Sequence, residues 1–136
     1  MKKNNIAIVV AEFHKVIADT MVEEAEKTVR DIGALVHAVV RVLGCFEMPL
    51  AVKRLIQKKG VDAVVVLGFI EKGETLHGEV MGYVVYHTLM QLQLAAGKPV
   101  GFGIIGPGAT VKQARTRMKP AAQGAVRAAV LQVRQK

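Results

Sequence analysis

The sequence predicts an α/β fold built on a four-stranded parallel sheet in strand order 2-1-3-4, with helices on both faces. Three observations lead there. The runs Ile6-Ala7-Ile8-Val9-Val10 and Val64-Val65-Val66-Leu67 are apolar at every position, as strands buried on both faces are. Segments with apolar residues at helical spacing separate such runs, so strands and helices alternate and call for right-handed crossovers between parallel strands. The helices also stop at single glycines, Gly33, Gly60 and Gly97, which leaves only plain turns at that end of the sheet.

The first strand covers Ile6 to Val10. After "AEFHK", Ile17, Met21, Ala25, Val29 and Ile32 form one face of a helix whose other side carries Glu23, Glu24, Lys27 and Arg30. Leu35 to Val42 reads as the second strand and "LGCFEMP" as a loop. Pro49 suits the first turn of a helix that runs to about Lys59. Asp62 to Gly68 is the third strand, and a long helix follows from about Leu76 to Ala96. "KPVGFGII" supplies the fourth strand and "GPGAT" a tight loop. Thr110 caps a helix through Arg117, which Pro120 should break or kink before a last helical piece from Ala121 to Arg134. The whole is a flavodoxin-like three-layer arrangement.

A chain of 136 residues with 51% hydrophobic content is expected to form one domain over 1–136, burying roughly two-thirds of its unfolded surface. No apolar run approaches the ~20 residues that span a bilayer. The start, "MKKNNIAIVVAEFHK", fits a first strand better than a signal peptide, because its apolar run is short and ends in Glu12. One cysteine, Cys45, permits no internal disulfide and is compatible with a reducing compartment. A cytoplasmic globular protein is expected. The net charge of +8 favours anionic partners, but aromatics are only 4% of the chain and the positive charge is diffuse. Nucleic-acid recognition by base stacking is therefore disfavoured.

In open α/β sheets, ligands bind beyond the carboxyl ends of the strands. The loops at those ends are "AEFHK", "LGCFEMP", "FIEKGETLH" and "IIGPGAT", and they hold most of the unusual residues of the chain. Gly73-Glu74-Thr75 before a helix offers an anion cradle of backbone N–H groups, helix dipole and hydroxyl. Taken alone, the motif is read first as a turn glycine and a capping threonine, because capping is the commoner use. His77 sits at the start of that helix, where a neutral imidazole is placed to move protons; a surface or hydrogen-bonded histidine is the alternative. His37 and His87 read as structural, and His14 stays open.

Cys45 has no companion at metal-ligand spacing and no evident activator, so neither zinc nor nucleophilic catalysis is expected. Glu47 can accept hydrogen bonds from substrate hydroxyls, or simply sit well at a helix start. Phe13 and Phe46 offer stacking faces, though core filling is the usual employment of Phe. Three readings of the fold fail on motif. There is no G-x-G-x-x-G after the first strand, no phosphate-binding P-loop, and no acidic pair with a phosphorylatable Asp as in a response-regulator receiver.

The segments "IAIVVAEFH", "LGCFEMPLAVKRL", "DAVVVLGFIEKGETLH", "KPVGFGIIGPGAT" and "QARTR" occur in the order seen in the lumazine synthases of riboflavin biosynthesis, and the chain most resembles their archaeal branch. The resemblance covers nearly the whole chain. It implies a condensation without cofactor or metal. The amine of 5-amino-6-ribitylamino-pyrimidinedione attacks 3,4-dihydroxy-2-butanone 4-phosphate; imine formation, phosphate elimination and ring closure then give 6,7-dimethyl-8-ribityllumazine.

By the same resemblance, Phe13 stacks on the pyrimidine, Phe46 lies at the substrate, and the Cys45 backbone and Glu47 hold the ribityl chain. Gly73, Glu74 and Thr75 meet the phosphate end and His77 transfers protons. Phe102 and Arg117 come from an adjacent subunit, with Arg117 clamping phosphate. The chain departs from the family pattern at His14, Glu71, Lys72 and Gly78, and in "RMKPAAQGAV", where the usual lysines are missing.

The family implies pentamers, alone or joined into decamers or icosahedral shells. A third helix apolar around much of its circumference gives weaker, independent support. "MKKNN" is too short an extension for the strand exchange seen in many relatives. An archaeal riboflavin synthase in the same fold, or an inactive paralogue serving as an oligomeric scaffold, are the competing functions.

Overall fold

A computed structural model of the chain describes residues 2–135. Its elements are β1 (Asn5–Ala11), α1 (Lys15–Asp31), β2 (Leu35–Val42), a 3-10 turn (Cys45–Glu47), α2 (Met48–Ile56), β3 (Ala63–Glu71), α3 (His77–Ala96), β4 (Val100–Ala109) and α4 (Val111–Arg134). All pairings are parallel and the strand order is β2-β1-β3-β4, as the alternation of elements predicts.

Because successive side chains of a strand point to opposite faces, β1 and β3 each feed two cores. Ile6, Ile8, Val10, Val65, Leu67 and Phe69 pack with α1 and α4 on one side. Ala7, Val9, Val64, Val66 and Ile70 pack with α2 and α3 on the other. β2 is one of the two edge strands and is only partly buried along its length.

Four expectations need correction. α2 ends at Ile56 rather than near Lys59, because the chain tightens into turns there: Lys58 N–H donates to Leu55 O and Val61 N–H to Lys58 O. β3 runs on past Gly68 to Glu71, so Phe69 and Ile70 are core residues and not loop. "GPGAT" is no free loop. β4 continues through Gly106, a cis Gly106–Pro107 peptide and Gly108 to Ala109, which pairs with Glu71. The register shifts between Phe69 and Glu71 to absorb this irregular stretch. Gly106, at φ +100°, lies where any Cβ would strike the Ile70 carbonyl, and the Tyr86 hydroxyl pins the segment, 2.6 Å from Gly106 O and 3.1 Å from Ile104 O.

Pro120 neither breaks α4 nor divides it. One helix spans both predicted pieces, opened by the expected cap: Gln113 N–H donates to Thr110 Oγ1 (3.2 Å) and Thr110 N–H to Gln113 Oε1 (3.0 Å). Pro120 is exposed, so the carbonyl left without its N–H faces water. Ala114, Ala122, Ala125, Val126, Ala129 and Val130 keep the helix seated on both sides of it.

That seating is close. A Cβ on Gly101 would collide with the Ala125 carbonyl oxygen, and one on Gly103 would lie 2.7 Å from Leu67 Cδ2 and 3.1 Å from Ala125 Cβ. The glycines of β4 let α4 lie directly on the sheet. Gly101→Ala should therefore cost at least about 2 kcal/mol, through backbone overpacking. Gly124→Ala, at an α4 position with nothing within 4 Å of the new Cβ, should stabilise by about 0.4–1 kcal/mol. Equilibrium denaturation of both variants against the parent checks the pair, and opposite signs are expected.

Candidate active site

The ends of β1, β2 and β3 and the start of α3 enclose a half-open cavity of about 520 Å³. It lies beyond the carboxyl ends of the strands, where the parallel sheet places it. Of the residues expected at the site, Phe13, Cys45, Glu47, Gly73, Thr75 and His77 line it. The structure adds Phe69, Ile70, Glu71, Lys72 and Met81, among others. The sequence reading put Phe69, Ile70 and Glu71 in the ligand-edge loop without singling them out as site residues; the pairing of Glu71 with Ala109 carries β3 itself to the rim.

Four expected residues stand apart from the cavity wall. Glu74 is exposed at the tip of the loop before α3. Phe46 is half exposed and approaches the site only through His77, ring centroids 6.0 Å apart and edge-on at 62°. Phe102 is half-buried on β4 against Tyr86, with centroids 6.0 Å apart. Arg117 is exposed on α4, whose buried face packs on the opposite side of the sheet from α3.

Local structure explains how each wall is held. The turn after β2 folds back because Glu47 Oε1 accepts the Gly44 N–H at 2.9 Å, which leaves the rest of that carboxylate group toward the cavity. Cys45 is 2% exposed, and burial, with the Glu47 charge second, pushes its thiol up to about 11. It is a protonated wall residue and no nucleophile at neutral pH. His77 is the first residue of α3; its backbone N–H donates to Thr75 Oγ1 at 3.3 Å, so Thr75 serves as a local cap and leaves its hydroxyl hydrogen for another acceptor. Gly73 is open on its Cβ side. Beyond His77, backbone N–H groups in the first turn of a helix have no partner within the helix, which makes helix starts attractive to anions.

Where β3 ends, His14 Nε2 lies 2.7 Å from Glu71 Oε1, joining the turn after β1 to the end of β3. Among the described residues no helix is long and apolar enough to cross a membrane.

A cavity of this kind orients small polar molecules and passes protons between them. It places the chain among the α/β proteins that work on small molecules at the carboxyl edge of a parallel sheet. Residues 3–136 match the family model of 6,7-dimethyl-8-ribityllumazine synthase. The chain is 44% identical to the 6,7-dimethyl-8-ribityllumazine synthase of Metallosphaera sedula over 129 residues, which cover 95% of this chain and 85% of the relative. The synthase of Saccharolobus solfataricus is 42% identical over 95% of this chain and 84% of its own. That of Pyrobaculum arsenaticum is 39% identical over 96% and 87%. The chain belongs to the 6,7-dimethyl-8-ribityllumazine synthase family.

The thiol gives a direct check on this wall. The unfolded chain releases the Cys45 proton near its ordinary value of 9.0 and the folded chain near 11, so between these values the unfolded state binds fewer protons. Stability from this group is full below pH 9 and falls as pH rises toward 11. Native protein at pH 8 should resist iodoacetamide and react fully once denatured; rapid native labelling, read by mass spectrometry, would contradict the buried thiol.

Proposed function

We propose that this chain is a 6,7-dimethyl-8-ribityllumazine synthase. It condenses 5-amino-6-ribitylamino-pyrimidinedione with 3,4-dihydroxy-2-butanone 4-phosphate, releasing phosphate and water, as a transferase of riboflavin biosynthesis. The observation that carries the reading beyond family membership is the combination of His77 with Gly73 and Thr75 at the start of α3, on the wall of a cavity whose only thiol is protonated. The attacking amine belongs to the substrate, so the protein need only hold two molecules in attack geometry and move protons.

In this reading the phosphate end sits at the first turn of α3, between Gly73, Glu74 and Thr75. His77 takes and returns the protons of imine formation and phosphate elimination. Phe13 stacks on the pyrimidine, Phe46 lies at the mouth, and Cys45 and Glu47 hold the ribityl chain. No cofactor or metal is required by any of these steps.

Phe102 and Arg117 enter from a neighbouring subunit. Two features support that division: Arg117 lies off its own chain's cavity, and α3 exposes Val80, Tyr83, Val84, Met90 and Leu94. An apolar surface on one helix calls for a second burying partner. We assign it to a second copy of the chain in a pentamer, with decamers or icosahedral shells as further assemblies of the same unit. A cytoplasmic setting, supported by the free Cys45 thiol, belongs to the same proposal.

Mixing purified protein with both substrates and following lumazine absorbance tests the reading; a rate no faster than the spontaneous condensation from an assembled particle would overturn it in favour of a scaffold. His77→Ala should lower kcat about a hundredfold or more. Arg117→Ala should raise KM for the butanone phosphate roughly 10- to 100-fold, as expected for a lost charge-assisted bond. Both variants should assemble. Co-assembled His77→Ala and Arg117→Ala subunits should regain part of the activity, because some sites then receive both intact residues; no recovery would place Arg117 outside a shared site.

A further inference from the structure

Each crossover helix returns the chain to the start of the next strand, so helix ends collect at the amino-terminal edge of the sheet, opposite the candidate active site. Positive charge that is scattered along the sequence meets there. Lys2-Lys3 lead into β1 and Lys58-Lys59 lead toward β3. Asp62 N–H donates to Asn5 O at 2.9 Å, so the two lysine pairs approach adjoining strand starts. Arg30 stands in the last turn of α1, Lys98 follows α3, and Arg134 ends α4.

Two of these cations have a structural role. Lys98 Nζ donates to Lys58 O (2.9 Å) just past α2, and Arg134 Nη2 to Ile32 O (3.1 Å) at the end of α1, where helix carbonyls lack partners. Lys2, Lys3, Arg30, Lys58 and Lys59 are exposed, and among the described residues their side chains enter no ion pair. The carboxylates of this edge are already engaged. Asp31 holds Lys27 Nζ and Asp62 accepts the Asn5 N–H, each at 2.7 Å. Glu12, Glu47, Glu71 and Glu79 stand at the other end of the sheet. The amino-terminal edge thus presents five cations with no counter-charge of their own.

The same edge is furrowed by a cleft of about 390 Å³ between the chain entering β3 and β4 and the end of α4. Gln93, Gln132 and Gln135 line it beside Lys98 and Asp62, and no aromatic side chain does. Cationic and amide side chains are the ones that contact phosphodiester oxygens, whereas stacking on bases needs aromatic rings. Attachment to a membrane surface commonly adds aromatic anchors to the charge, and the cleft has none. We infer that the amino-terminal edge docks the phosphodiester backbone of a nucleic acid without reading its bases. This surface is separate from the cavity and does not depend on the reaction proposed for it.

The test is fluorescence anisotropy on the full-length protein in its native assembly, with labelled poly(U), poly(C), poly(dT) and duplex DNA over a range of salt. Log K should fall linearly with log salt, by about 0.7 for each cation engaged on a single strand and about 0.9 on a duplex. Poly(U) and poly(C) should bind alike, and the comparison of poly(U) with poly(dT) identifies a ribose or a deoxyribose backbone as the better ligand. Lys2→Gln/Lys3→Gln/Lys58→Gln/Lys59→Gln should weaken binding about tenfold or more at roughly 50 mM salt and flatten the salt slope. Lumazine formation by this variant should match the parent. Lys58→Gln/Lys59→Gln alone should show part of both effects, which guards against a fourfold variant that fails to fold.

A control with Lys112→Gln, Arg115→Gln, Lys119→Gln and Arg127→Gln loses the same formal charge from the exposed side of α4. It should bind within about threefold of the parent, because contact and not net charge sets the affinity. A control that loses as much as the edge variant would overturn the inference. So would a strong preference for one base, or a parent that binds no oligonucleotide at about 50 mM salt. Binding to phosphatidylserine vesicles with none to nucleic acid would overturn it in favour of a membrane surface.

Discussion

Parallel pairing of β1 with β3 is the constraint on which the rest of this structure depends. Two adjacent parallel strands cannot be joined by a hairpin, so the chain must travel the length of the sheet and return, and it does so through helices. Both strands then lie under helices on both faces, which is why β1 carries no polar residue between Asn5 and Glu12 and β3 none before Glu71. It also sends every strand out of the sheet in the same direction. Phe13, Cys45 and Gly73, far apart in sequence, are neighbours around one cavity because each follows the carboxyl end of a parallel strand.

The second determinant is how tightly β4 is held. Glycine-lined on the α4 side, it takes that helix at backbone distance, and on the α3 side Tyr86 fixes its irregular end. A continuous, anchored β4 gives β3 a partner as far as Glu71. At Phe69, Ile70 and Glu71 the rim of the cavity is therefore sheet, with hydrogen-bonded backbone, rather than loop. A site whose side chains stand on strand ends and a helix start is held more narrowly than one carried on loops, as orientation-based catalysis requires.

Much of this was legible in the sequence, and the limits of that legibility are physical. Doubly buried strands announce themselves because burial on both faces leaves no polar position, and the strand order followed from the alternation of elements. The cap at Thr110 was readable because Gln113 stands at the required spacing. Strand ends were not. Gly68 looks like a stop, and nothing local tells that the chain is needed three residues further to pair with Ala109. "GPG" has the composition of a turn, and only tertiary pairing makes it strand. Pro120 shows the same override, since a helix seated on the sheet on both sides of a wet proline has no reason to break. Phe13, Thr75 and His77, singled out by type and by their place at the carboxyl edge, do line the cavity, whereas Phe46 and Phe102 do not. The His14–Glu71 contact was hidden, because it joins residues 57 apart and depends on a left-handed turn that an ordinary dipeptide does not advertise.

The chemical state of Cys45 carries a consequence for the conditions under which the cavity stays intact. Oxidants attack thiolates, and sulfur on the oxidation ladder becomes acidic and bulky. A thiol shielded to 2% exposure and held protonated by its surroundings offers oxidants neither the anion nor the access. The wall beside the cavity thus keeps its shape and charge when the surrounding medium turns oxidising, conditions that silence proteins working through an activated cysteine.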